Sequence, residues 1–124
     1  MSATPFLERW FETMDSDTPE RVLDHITDDF TMSVQFSKGE GQSAEFVGDR
    51  AGLVAYLEQR EASVLVHQVT HGARVGEVEL VLGRTTRNGS FEASFNASAL
   101  LDTATERCRR LLICRTPELQ FPQD

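Results

Sequence analysis

The chain has 124 residues, enough for one domain with its own core and too few for two. Hydrophobic residues at 40% and charged residues at 26% are ordinary for a soluble globular protein, and no apolar run is long enough to span a bilayer, so no membrane partner is expected. The 20 acidic residues against 12 basic leave a net charge of −8, which repels a phosphate backbone and argues against nucleic acid as a partner.

At the N-terminus, "MSATPFLERW" has neither a basic n-region nor an apolar h-region, and the expected compartment is the cytoplasm. A helix is predicted from Thr4 as N-cap and Pro5 as first residue, with Phe6, Trp10 and Met14 in one apolar stripe. "DSDT" breaks that pattern. "TPERVLDHI" restarts it as a second helix, with Thr18 capping, Val22, Leu23 and Ile26 apolar, and Asp24 and His25 in solvent. After "TDD" the period becomes two: Phe30, Met32, Val34 and Phe36 alternate with polar residues, as in a half-buried strand. Asp28 and Asp29 are read as turn chemistry before that strand, Asp29 being the better outsider for a site. A loop, "SKGEGQS", and a short apolar segment, "AEFVG", lead to a third helix, "DRAGLVAYLEQRE", with Leu53, Tyr56 and Leu57 on its inner side.

The remainder reads as strands over about 64 to 75, 77 to 87, 90 to 102 and 106 to 115. Asn88-Gly89 is the strongest hairpin signal, and "DTATE" makes the next reversal. Helices followed by an antiparallel meander imply an α+β domain spanning 1 to 124, the helices covering one face of a curved sheet. Cys108 and Cys114 on one strand stand roughly 20 Å apart, beyond disulfide reach, and are read as free thiols. "NGS" and "NAS" match the glycosylation sequon but carry little weight without a secretion signal. The short basic clusters "RTTR" and "ERCRR" are read as solvated strand faces rather than anion sites.

Strand parity indicates what faces inward. Phe91, Ala93, Phe95, Ala97 and Ala99 form an apolar face, with Glu92, Ser94, Asn96 and Ser98 on the other. By the same alternation Leu65, His67, Val69, His71 and Ala73 share a face, placing His67 between apolar neighbours. A metal shared by His67 and His71 is unfavourable, because residues four apart on a strand are about 13 Å apart. Two readings of His67 stand: a satisfied core histidine, or the acid and base of a pocket whose orienting carboxylate is not identified.

The order of elements, with "RWFETMDSDTPERVLDHITDDF" at 9 to 30, "FVGDRAGLVAYLEQR" at 46 to 60 and the long meander after it, resembles the NTF2-like superfamily, and within it the SnoaL-like proteins. The resemblance implies a cone-shaped roll whose concave face binds a small hydrophobic molecule. It implies a cofactor-free isomerase, cyclase, dehydratase or hydrolase, or else a non-catalytic binding or dimerisation module with a vestigial pocket. SnoaL-like sequences carry an arginine at the end of the third helix and a histidine early in the next strand; these positions read as Arg60 and His67, the candidate catalytic pair. Trp10, Tyr56, Leu57, Phe95 and Ala97 are the candidate ligand-binding residues. A ketosteroid isomerase mechanism is disfavoured, because its tyrosine and two aspartates fall at Trp10, Val34 and near Ala97. Relatives pair through the face expected to carry Glu92, Ser94, Asn96 and Ser98, so a homodimer is expected.

Overall fold

The computed structural model describes residues 2 to 59 and 65 to 122. Helix α1 (Pro5–Met14) and a 3₁₀ helix (Pro19–His25) precede the first hairpin, β1 (Ile26–Gly39) and β2 (Gln42–Asp49). Helix α2 (Arg50–Gln59) follows, then β3 (Leu65–Val75), β4 (Val78–Arg87), β5 (Ser90–Leu101) and β6 (Cys108–Thr116). The strands form one open sheet in the order β2-β1-β6-β5-β4-β3. Four neighbour pairs are antiparallel, but β1 runs parallel to β6, so the sheet is mixed rather than wholly antiparallel. The reason is topological: β6 ends the meander beside the first strand of the chain, and no hairpin constrains that pairing.

Both helices cover the same face. Helix α1 lies on β3 and β4, and α2 lies on β1 and β2. Phe6, Leu7, Trp10 and Phe11 of α1, Leu53 of α2, and Phe30, Met32, Val81, Phe95, Ala97, Ala99, Leu111 and Ile113 of the strands close the core between them. "AEFVG" is the middle of β2, with Phe46 opposite Val34. The 3₁₀ form of the second helix reflects its length, because seven residues give little return on α-helix nucleation. Asn88 and Gly89, with φ of 52° and 84°, make the tight β4–β5 turn expected of that dipeptide.

Two bulges alter the expected parity. On β3, Val69 pairs with Gly83 and His71 with the adjacent Leu82, so Thr70 is an extra residue. Leu65, His67 and Val69 face the helices, whereas His71 and Ala73 are switched to the outer face, beside Leu82 and Leu80. On β5, Ala93 pairs with Thr85 and Phe91 with the adjacent Thr86, leaving Glu92 as the extra residue. Phe91 therefore lies outside, in a groove with Leu82, Arg84 and Phe121. Glu92 instead turns to the concave side, where Arg115 reaches it from the position opposite Phe95. Alternation holds from Ala93 to Ala99, all four apolar residues being buried. Ser94, Asn96 and Ser98 point outward as expected.

Helix α1 is anchored from the sheet. Thr4 stands at the N-cap, but its hydroxyl donates to Glu8 Oε2 at 3.0 Å rather than capping the helix. The cap comes from Glu79 on β4: its carboxylate accepts from Leu7 N at 2.8 Å and Phe6 N at 3.1 Å. Glu79 is completely buried, and these two bonds at the positive end of the helix compensate for taking its carboxyl group out of water. Both cysteines are free and lie on β6; burial pushes the Cys108 thiol up to about 12.

Glu79→Ala is expected to lower stability by about 3 kcal/mol, because two buried N–H donors lose a charged acceptor. A urea titration checks this; a shift of the midpoint no larger than that of a surface substitution would show that α1 holds its place by packing alone.

Candidate active site

The candidate site is built where the C-terminal end of α1 meets the start of β3. Phe11 and Asp15 are four residues apart, so they project from the same side of the helix, one turn after another. Asp15 closes α1, its N–H donating to Phe11 O at 2.9 Å, which fixes the backbone that carries its carboxylate. That carboxylate makes two bonds to one residue. Oδ2 accepts from the backbone N of His67 at 2.7 Å, and Oδ1 lies 2.8 Å from His67 Nδ1.

The imidazole is held by its ring as well. Phe11 stacks on it with centroids 4.8 Å apart and planes inclined by 17°, and Phe95 meets it edge-on at 5.4 Å. Phe95 reaches the imidazole across β4 because position 83 is glycine; a Cβ there would come within 2.5 Å of the Phe95 ring. The His67 and Asp15 side chains are 18% and 12% exposed, so the pair is largely but not wholly shielded from solvent.

An ionised carboxylate can only accept, so its bond to Nδ1 places the proton on that nitrogen. In the neutral imidazole Nε2 then keeps a lone pair. The arrangement therefore supplies a base at Nε2, and a carboxylate 2.8 Å from Nδ1 to stabilise the imidazolium formed when that base takes a proton.

A second charged group occupies the same end of the concave face. Arg87 Nε donates to Glu92 Oε1 at 2.8 Å, and Arg115 Nη2 donates to Glu92 Oε2 at 3.4 Å. Mainly through its bond from Arg87, Glu92 is held below the usual carboxylate range, burial opposing the shift and Arg115 adding to it. Asp29, by contrast, belongs to the surface near the other end of β6. It bonds the Thr27 hydroxyl and pairs with Arg109, and these hold its pKa down.

The other expected site residues are spread. Trp10, Phe95 and Ala97 are buried, Trp10 between Phe6 and Phe30 with centroids 6.0 and 6.2 Å away. Leu57 packs half-buried against the core, and Tyr56 is exposed beside Phe46, 5.2 Å between centroids. Arg60 lies outside the described residues. Asp15 is the candidate site residue that sequence reasoning missed, having been read as part of a helix break. Its spacing from Phe11 was the available signal: a carboxylate one turn further along a buried stripe.

No family model matches the chain, and no curated protein is similar to it in sequence. Solved structures are. A candidate isomerase of the SnoaL-like family from Agrobacterium tumefaciens superposes with a TM-score of 0.68 at 12% identity, covering 91% of this chain and 96% of the other. A candidate polyketide cyclase from Sinorhizobium meliloti gives 0.60 at 15% identity, covering 91% and 99%. An NTF2-like protein of unknown function from Cytophaga hutchinsonii gives 0.59 at 10%, covering 94% and 92%.

The tautomer is open to direct measurement. The ¹⁵N spectrum of His67 near pH 8 is expected to show a protonated Nδ1 and an unprotonated Nε2, with Asp15→Asn weakening that preference; the opposite tautomer in the unmodified protein would remove the base from Nε2. From strand order, helix placement and these superpositions together, the chain has the NTF2-like fold, in the form shared with SnoaL-like proteins.

Proposed function

We infer that the concave face binds a small, largely apolar molecule and that His67, oriented by Asp15, exchanges a proton with it. One observation carries this reading: a single carboxylate holds both the backbone N–H and Nδ1 of a histidine whose ring is walled by two phenylalanines. The reaction is a cofactor-free isomerisation, cyclisation or dehydration of a polyketide- or steroid-like carbonyl compound. Such reactions start by removing a proton from the carbon beside a carbonyl, which a positioned base accelerates about 10²–10⁴-fold. The names of the structural neighbours, isomerase and polyketide cyclase, support the same class. Arg60, singled out by the resemblance to SnoaL-like sequences, is the candidate for polarising the carbonyl oxygen. Free cysteines on β6 suit a reducing, cytoplasmic setting.

A second reading, a binding module without catalysis, draws on the burial of Trp10, Phe95 and Ala97 at 2–3% exposure, which leaves these three packed against their neighbours rather than lining open space. The experiment that separates the two is deuterium exchange at the α-carbon of aromatic methyl ketones and tetralones in D₂O, followed by proton NMR. The protein is expected to promote exchange, His67→Gln to abolish it, and Asp15→Asn to slow it about tenfold or more. Binding of these compounds without exchange, and with equal affinity for His67→Gln, would leave the binding module as the function.

The outer face of the sheet is the proposed homodimer surface. Leu80 and Leu112 are 39% and 46% exposed there, next to Ser98 and Leu100, whereas Ser94 is already covered by the C-terminal segment through its bond to Leu119 O. Sedimentation is expected to give about twice the 13.9 kDa of one chain, and Leu112→Glu to return the monomer mass. A monomer in the unmodified protein at micromolar concentration would dismiss the surface as an interface.

A further inference from the structure

We propose that Arg115, with Glu92 and Arg87 behind it, is an anion subsite of the concave face, and that the ligand is an organic acid: an apolar body bearing one carboxylate. The inference rests on the reading of that face as a ligand site and names the class of ligand it takes.

The three residues carry one negative and two positive formal charges in a protein whose net charge is −8. The triad's own charge balance is therefore opposite in sign to that of the molecule as a whole. The register brings the triad close to the histidine. Arg115 pairs with Phe95 across β5 and β6, and the Phe95 ring is the one that meets His67 edge-on at 5.4 Å. Arg87 pairs with Leu65, two residues before His67 on the same side of β3. Phe95 on β5 thus touches the imidazole of His67 from one side and has Arg115 opposite it on β6.

The bonds within the triad are unequal. Arg87 gives Glu92 a 2.8 Å bond from Nε and a longer one of 3.5 Å from Nη2, whereas Arg115 gives it one contact of 3.4 Å. A guanidinium has five N–H donors in a planar fork that fits a carboxylate with two parallel bonds. Arg115 can exchange its long contact for such a pair while Glu92 keeps Arg87. With side chains 26% and 28% exposed, Arg115 and Glu92 are reachable by a ligand and partly shielded from water, which strengthens the pairing. Glu92 is the internal counter-ion: it orients the arginines when no acid is bound.

The test uses matched probes, 2-naphthoic acid and its methyl ester, titrated calorimetrically at 50 mM salt. The acid is expected to bind at least tenfold more tightly than the ester, Arg115→Gln to bring the two within twofold, and Glu92→Gln to retain or raise the preference. Thermal melts of both variants near the unmodified protein's would show that folding is intact; Arg115→Lys, keeping the charge without the fork, is expected to fall between. Equal affinity for acid and ester, or a preference that survives Arg115→Gln, would overturn the subsite. So would failure of both probes to bind. Deuterium exchange on neutral ketones decides the role of His67 separately, so exchange that depends on His67 without any acid preference would leave the function standing with this inference gone. An Arg115-dependent acid preference without exchange would do the reverse.

Discussion

A buried carboxylate at the start of one helix governs much of this structure. Glu79 projects from β4 into the first turn of α1 and takes two N–H groups that have no acceptor within the helix. The contact spans more than seventy positions of sequence, so it joins the first helix to the middle of the sheet. A helix of ten residues is about 15 Å long, and fixing one end over β4 aims the other at β3. Asp15 is at that other end. The pairing of Asp15 with His67 is thus set by two carboxylates, one at each end of α1, and the packing of Phe6, Leu7, Trp10 and Phe11 fixes the rotation between them.

Most of the architecture was legible in the chain, for reasons that differ by element. Thr4-Pro5 and Thr18-Pro19 mark the two helical starts because proline fits only the first turn, and Asn88-Gly89 marks its hairpin because both residues accept positive φ. Alternation located the inner face of β5 from Ala93 to Ala99. It failed at Thr70 and Glu92, since a bulge changes side-chain direction without leaving a mark in residue type. The same limit hid the parallel β1–β6 pair and the cap supplied by Glu79, both of which are contacts between distant segments. His67 was legible as a candidate. Its partner was not, because the partner of a side chain is a property of packing, and Asp15 in "DSDT" has the local look of any helix exit.

The two bulges also shape the chemistry. Without the extra residue at Glu92, strict alternation would place that carboxylate outside with Ser94, and the arginine opposite Phe95 would face the interior with no counter-ion. Without the extra residue at Thr70, His71 would follow His67 onto the inner face, adding a second imidazole beside Gly72, where Thr4 already lies within 2.6 Å of the space a Cβ would take. Each bulge therefore sorts polar groups between the two faces of the sheet. Position 83 works in the same direction, its missing side chain giving Phe95 the room to lean on the imidazole.

The bond from His67 N to Asp15 has a bearing on how the protein behaves in a crowded solution. β3 is the last strand of an open sheet, and a strand in that position offers its outward N–H and C=O groups to any extended chain that drifts by. Asp15 takes one of those N–H groups with a carboxylate, which places both the bulk of a helix end and a negative charge where an incoming strand would have to lie. The side chain that orients the imidazole also guards the sheet's margin against recruiting a neighbour, so replacing it would expose a site of strand-to-strand aggregation as well as loosen the histidine.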